Sequence, residues 1–552
     1  MVWRTASGAV FKMQGDSTAD TATLRDGSLL RSQKVRTALW LMAIAFCLLR
    51  FVHLAADYPR NIRWDDGILT DEGWYASSAI NQHLWGTWLL SGDMNISVLM
   101  PVWPLIVNAA FHVFGFHVEV IRGLTVVASL VCLFLLCQVL KRYGAKQWTS
   151  LFVFLAAVNP WAFALSRSAF LELPMMVAFF CALLLVAPEA ETTTSTSPPL
   201  QVFRMVLAGL LIALAILTKT SALVLLPILL LAILQRNKFQ VRSALRDSLL
   251  IFATVALPYA LFLALYVRPH SIDALYYMSV IPSHVQFGFH ALAAQVTRPF
   301  RYAPGSDHLL FLGGIFVVAA SLLSKRLRRL WRDPLFCLAG IWTLSVLTVL
   351  ILLNNVMVHY LALLIPGLIF LAIALLRNME WVNPRWSTVL LALVLLDGFA
   401  NVMQVSAFML HPTYRFRDAA VAVRNIVVRD GTTNEVVLGT NMHEVAMQSG
   451  LKPVNLFAHS AYITRQVQRY QPAWWLQYSS EDDGSCYREV LAQKYIAQKQ
   501  GEWPIAQDAR SLTLYKLIPQ SSGALPATLT ERQKKACRSP WVASQREFPD
   551  VP

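Results

Sequence analysis

The sequence predicts a polytopic all-α membrane domain followed by a small α/β domain on the far side of the bilayer. Three observations carry that prediction. The 552 residues are 56% hydrophobic and only 14% charged, where soluble domains carry roughly 25% charged residues. The apolar excess falls before about residue 407, in runs near the roughly 17–20 residues that cross a bilayer. Basic residues gather in short linkers between alternate runs, the positive-inside pattern. The net charge of +15 is therefore a topology signal. No nucleic-acid-binding motif accompanies it, so no nucleic-acid partner is expected.

Residues 1–36 are polar, with Arg31, Lys34 and Arg36 just before the first run, and read as a cytoplasmic tail. No short apolar segment with a small-residue cleavage site opens the chain, so no removable signal peptide is expected. The membrane domain is assigned to 37–406. Its apolar runs lie at about 38–56, 119–140, 148–166, 172–187, 204–218, 220–235, 247–267, 308–324, 334–353, 359–376 and 386–406, which makes eleven spans. A further run, 98–116, is broken by Pro101 and Pro104 and carries His112. It reads as an interfacial or re-entrant helix. With it not spanning, the basic linkers 141–146, 236–246, 325–332 and 377–385 all share the side of the N-terminus. The linker 188–203 is an acidic, low-complexity exception. The expectation is a multi-pass protein of the inner (plasma) membrane, with its N-terminus cytoplasmic and its C-terminal domain extracytoplasmic.

The outward loop 57–118 holds the stretch around which the chain is organised, residues 70–88, TDEGWYASSAINQHLWGTW. Its spacing predicts one amphipathic helix at the membrane surface, capped by Thr70, with Asp71 and Glu72 in the first turn. Acidic residues there suit the helix dipole and need no function by themselves. All twelve histidines fall in outward parts or at outward span ends. They form no HExxH motif or tight cluster, and the Asp65–Asp66 pair is too small for a metal site. Asn95-Ile96-Ser97 fits a glycosylation sequon.

Residues 407–518 are more polar. RDAAVAVRNIV and MHEVAMQSG read as helices, NEVVLGT and SLTLYKLI as strands. A Pro/Ser-rich tail, 519–552, follows. Five of the seven cysteines lie in apolar runs; Cys486 and Cys537 do not, and would pair in an oxidising compartment.

An ordered set of short motifs resembles the GT-C glycosyltransferases, closest to the protein O-mannosyltransferase and aminoarabinose transferase branch. Asp71-Glu72, Tyr75-Ala76 and Gly86-Thr87-Trp88 match its first outward loop. Phe114-Gly115 and Arg122 follow, then Ser166-Arg167 with Leu171-Glu172-Leu173-Pro174. Leu217-Thr218-Lys219 and Tyr360-Leu361 with Pro366 complete the series, which covers roughly 38–400. One departure is that Val98-Leu99-Met100-Pro101 stands where the aminoarabinose branch has Lys-Pro-Pro, which argues against that branch's lipid A substrate.

The resemblance implies transfer of a sugar from a polyprenyl phosphate to an acceptor hydroxyl on a glycan, lipid or protein. It implies no metal and no cofactor beyond the lipid-linked donor. Such chemistry needs a base for the acceptor proton and cations for the departing phosphate. Asp71 is the expected base, with Glu72 and Glu172 as second candidates. Arg122, Arg167 and Lys219, with Tyr75, His359 and Tyr360, are the expected substrate-binding groups; as cations at span ends the three could equally be snorkelling. Arg50 is read as snorkelling. A lipid or sugar flippase and a non-catalytic scaffold are the competing classes. A transporter would show internal repeats with broken helices near the midplane, and no convincing repeat is found.

Overall fold

A computed structural model describes residues 32–57, 71–93, 95–188, 198–280, 308–352, 358–431, 434–455, 466–478, 491–505 and 511–520. Thr70, the Asp65–Asp66 pair, Cys486, Cys537 and the 521–552 part of the tail lie outside them.

Every apolar run carries a helix. In chain order these are α1 (Gln33–Leu49), then α2 (Glu72–Tyr75), α3 (Ser77–Trp85) and α4 (Val102–Phe114) of the first loop, and α5 (Val118–Arg142). Next come α6 (Thr149–Val158), α7 (Pro160–Ser166), α8 (Glu172–Val186), α9 (Pro198–Thr218), α10 (Leu226–Arg236), α11 (Val241–Phe262) and α12 (Ser271–Val280). The bundle closes with α13 (His308–Leu323), α14 (Pro334–Leu352), α15 (Leu361–Val382) and α16 (Pro384–Leu410). Among the described residues six helices are long and apolar enough to cross a membrane, and the bent pair α6–α7 makes a seventh. The stretches 172–186, 220–236 and 309–323 are apolar but shorter. By length and composition, then, the described residues give six or seven spans, and the count of eleven is not confirmed.

Run 148–166 is not one helix. It breaks at Asn159-Pro160 with a bend of 67°. Pro160 has no N–H to continue the ladder, and the Asn159 side chain accepts from Ala162 N at 2.8 Å, starting a new helix. The carbonyls freed at the end of α6 are taken by Arg50, which donates to Ala156 O at 2.9 Å and Ala157 O at 3.2 Å. Arg50 is therefore not snorkelling: it is 2% exposed and also donates to Ser129 Oγ. Arg50→Ala orphans two buried acceptors, each costing about 1–3 kcal/mol. A lower midpoint of thermal unfolding in detergent is expected; an unchanged midpoint would show that the bend holds itself.

The 70–88 stretch also differs from its expectation. It forms two helices broken at Ala76, and the second stops at Gly86, whose φ of 72° suits a residue without Cβ. Asp71, not Thr70, precedes the first turn, and no side-chain cap is made. Nor is this a membrane-surface helix with a wet face, since from Glu72 to Asn81 only Trp74 is not buried. The 13-residue α4 rises about 20 Å at 1.5 Å per residue, too little for a span. It buries Trp103, Val107 and Phe111 and exposes Leu105, Ile106, Val113 and Phe114.

The two ends of the bundle differ in chemistry. At one end Tyr143 donates to Gln235 Oε1 at 2.7 Å, Gln235 to Pro334 O at 3.0 Å, and Arg377 to Tyr143 O at 2.8 Å. Arg377 also pairs with Asp333. Residues in or next to the four basic linkers thus meet. The opposite end gathers α2, α3, the starts of α5 and α8, the end of α9 and the α/β part.

That part begins with α17 (Arg415–Arg429), followed by β1 (Val436–Gly439), α18 (Met442–Ser449), β2 (Lys452–Asn455), β3 (Trp474–Tyr478), β4 (Tyr495–Pro504) and β5 (Ser511–Pro519). The sheet order is β2-β1-β3-β5-β4. β1 runs parallel to β2 and β3, and β5 antiparallel to β3 and β4. Strand alternation sends Trp474 into the core with Phe416, Val423 and Val437, and Trp475 to the other face with Leu438 and Val454. The two helices and two strands expected from sequence are present; β2, β3 and β4 were not anticipated. The sheet docks on the first loop: Trp85 Nε1 donates to Pro453 O at 3.2 Å and Tyr470 Oη to Ser91 O at 2.7 Å. Asn95 is buried, with its amide nitrogen donating to Leu90 O and to Asp273 at 2.7 Å, so the folded chain does not present this sequon.

Candidate active site

Four segments distant in sequence meet where α2, the start of α8, the end of α9 and the turn before α15 converge. Each places its polar residue where a helix begins or stops. Glu172 is the first residue of α8. Lys219 follows the last residue of α9, with extended backbone at φ −158° that turns the chain away. His359 and Tyr360 form a short turn leading into α15.

The groups make one hydrogen-bonded line. Lys219 Nζ donates to Glu172 Oε1 at 2.5 Å and to Tyr75 Oη at 2.8 Å. Tyr75 in turn donates to Asp71 Oδ2 at 3.3 Å. The ammonium lies 4.5 Å from the Tyr75 ring centre and 5.0 Å from that of Tyr360, within cation–π range. His359 Nε2 stands 3.4 Å from Glu172 Oε1, with its ring stacked on Phe170. Glu172 is 1% exposed, Lys219 4% and His359 5%, while Asp71 is half-buried. The buried cation is neutralised by its carboxylate, and the line runs outward to Asp71. Among the described residues Glu172 Oε2 and His359 Nε2 make no hydrogen bond, although buried polar atoms nearly always do.

Glu72 and Arg122 lie on the other side of the same turn. They form a bidentate pair, Arg122 Nε to Oε1 at 3.0 Å and Nη2 to Oε2 at 2.7 Å. Arg122 Nη1 also donates to Leu54 O and Ala56 O, and Ala169 N donates to Glu72 Oε1 at 2.6 Å. This buried pair fastens the segment after α1, α2, α5 and the turn before α8 together. Arg167 is set between the rings of Phe163 and Phe408, 5.2 Å from each, and donates to His53 O at 2.6 Å. It shares a small cavity with Arg122 and Asp57. Asp71, Tyr75, Glu172, Lys219, His359 and Tyr360 are thus brought together, with the Glu72–Arg122 pair beside them across the turn and Arg167 next to Arg122. Among the described residues no three His, Cys, Asp or Glu side chains are placed to hold a metal ion.

Two groups of the α/β part reach this region without having been singled out from sequence. Glu444 Oε1 accepts from Gly73 N at 2.6 Å, and His443 Nε2 stands 3.2 Å from Asp93 Oδ2 and 3.1 Å from Asn81 Oδ1. The one sequence signal was a histidine and a glutamate side by side in a segment that reads as a helix.

The bundle, its bent pair and the α/β part together have a GT-C-like fold, as the motifs implied. Solved structures share it. ArnT from Cupriavidus metallidurans bound to undecaprenyl phosphate superposes with a TM-score of 0.55 at 13% identity, over 88% of this chain and 98% of that one. Its apo state gives 0.56 at 14%, over 87% and 98%. The Archaeoglobus fulgidus oligosaccharyltransferase AglB, in complex with an inhibitory peptide and a dolichol-phosphate, gives 0.50 at 12%, over 91% and 78%. Residues 100–262 match the family model of dolichyl-phosphate-mannose-protein mannosyltransferases. Comparison with curated proteins finds no match.

Proposed function

We propose that this protein is an integral-membrane glycosyltransferase that moves a sugar from a polyprenyl-phosphate carrier to an acceptor on the outer face of the membrane, with inversion at the sugar. The observation that carries the reading is the Glu172–Lys219–Tyr75–Asp71 line, a buried cation joined through one phenol to a half-buried carboxylate. In the reaction an acceptor oxygen bonds to the anomeric carbon as the carbon–oxygen bond to phosphate breaks. The polyprenyl phosphate leaves with the electron pair, and the acceptor proton goes to Asp71. Lys219 meets the charge that develops on the leaving phosphate. Glu172 Oε2 and His359 Nε2 take polar groups of the sugar.

The undecaprenyl phosphate and dolichol-phosphate bound by two proteins of similar fold support a polyprenyl-phosphate donor. A flippase would hold ionisable groups near the midplane, whereas these gather at one end of the bundle. Membranes holding the protein, given a panel of radiolabelled polyprenyl-phosphate sugars, are expected to transfer label from at least one; transfer from none overturns the reading. The orientation has its own check. Reporter fusions after Lys146 and after Tyr414 are expected to report opposite sides, and a common side would remove the outward placement of the site.

A further inference from the structure

We infer that Glu444, carried by α18 of the α/β part, is a positioning residue that holds the Asp71–Gly73 turn in its working geometry. The inference rests on the proposed transferase reading for its consequence and on geometry for its substance. Glu444 is 4% exposed and lies 371 positions from the Gly73 amide that it binds at 2.6 Å. α2 is a single turn of four residues, too short to hold its own shape in water. Something outside it must fix where Asp71 points. Gly73 shows how close that support comes, since a Cβ there would stand 2.5 Å from Glu444 N and 2.5 Å from His443 C. Only glycine lets the backbone of α18 reach the turn.

The charges around Glu444 make the contact depend on pH. Glu72 and Asp71 face it from the turn, Arg122 from α5, and His443 adjoins it on α18. Burial first, then the charge of Glu72, pushes the Glu444 carboxyl well above its ordinary range, with Asp71 adding to the rise; the Gly73 amide and Arg122 oppose them. A carboxyl raised by folding favours the folded state while protonated, although the Gly73 amide itself binds the carboxylate more strongly. That support is present below the unfolded value and is lost as pH rises through the folded value.

The test uses the full-length protein in detergent or liposomes, with two readouts. Hydrogen–deuterium exchange of a peptide covering residues 71–76 needs no substrate. Exchange there is expected to be faster in E444A than in wild type and to return to the wild-type rate in E444Q, whose amide oxygen still accepts from Gly73. Equal protection in E444A overturns the inference whatever the transfer assay shows. With transfer established for wild type, E444A is expected to lose about tenfold or more in kcat, with donor KM changed less than about twofold. E444Q is expected to keep activity and to lose less of it on the alkaline side than wild type. If E444A fails to fold, E444D decides, its carboxylate one methylene short of Gly73: exchange of residues 71–76 as slow as in wild type overturns the positioning role. Wild type without any transfer would instead count against the transferase reading and leave the exchange result to judge this one.

Discussion

Asp71→Asn is expected to cost about 10²–10⁴-fold in sugar-transfer rate, the usual contribution of a general base, while donor binding stays near wild type. The substitution keeps the shape of the side chain and its acceptor for Tyr75, which donates to Asp71 Oδ2. What it removes is the capacity to take a proton. In the proposed reaction the donor phosphate is met elsewhere, by the Lys219 ammonium two hydrogen bonds away. Turnover and donor affinity should therefore separate. The measurements are initial rates with a saturating lipid-linked sugar, and donor binding read as thermal stabilisation of the purified protein. Wild-type rates in Asp71→Asn across a range of pH would remove Asp71 from the mechanism. Glu172 would then be the next base to test, because Glu72 is committed to Arg122 and Ala169. A helix dipole cannot rescue the assignment either way, since a one-turn α2 carries little of one.

The site was legible in the sequence where its signal was local. Asp71 with Tyr75, the Glu172 start of an apolar run, Lys219 between two runs and His359-Tyr360 before a third all sit at run boundaries. Run boundaries on one face of a bundle meet in space. What the sequence could not show depended on contacts between distant segments. Arg50 and a snorkelling arginine look alike until Pro160 is seen to free two carbonyls beside it. The 70–88 stretch has a helical period, but it breaks at Ala76 and is buried on both faces, in part against α18, far along the chain. Arg122 and Lys219 were equivalent as cations at span ends. The structure separates them by partner: Arg122 is held by a bidentate carboxylate and two carbonyls, Lys219 by one carboxylate oxygen and a phenol. The α/β part was visible as a change in composition. Its strands β2 and β3 were not, because they run beneath other elements and lack the alternation of a half-wet strand.

Lys219→Ala is expected to show two losses that can be told apart. Removing one partner of a buried ion pair leaves the other charge uncompensated, at a cost of about 3–5 kcal/mol. Glu172 at 1% exposure has no water to turn to, so the unfolding midpoint should fall steeply. The second loss is in donor binding, on the order of 1.5–3 kcal/mol for a charge-assisted hydrogen bond to phosphate, or about ten- to 150-fold in Kd. The double variant Lys219→Met with Glu172→Leu separates them. It replaces the pair with apolar side chains of similar volume, which is often neutral or stabilising in a buried site, so the midpoint should recover. Donor binding should not recover, because the cation is still missing and the Glu172 carboxylate that meets the sugar is gone as well. Lys219 also lies over the Tyr75 and Tyr360 rings, so a methionine there keeps the aromatic packing while losing the charge. A double variant that regained both stability and wild-type donor affinity would make the pair a structural clamp and move the phosphate site elsewhere, with the cavity shared by Arg122 and Arg167 the next place to look.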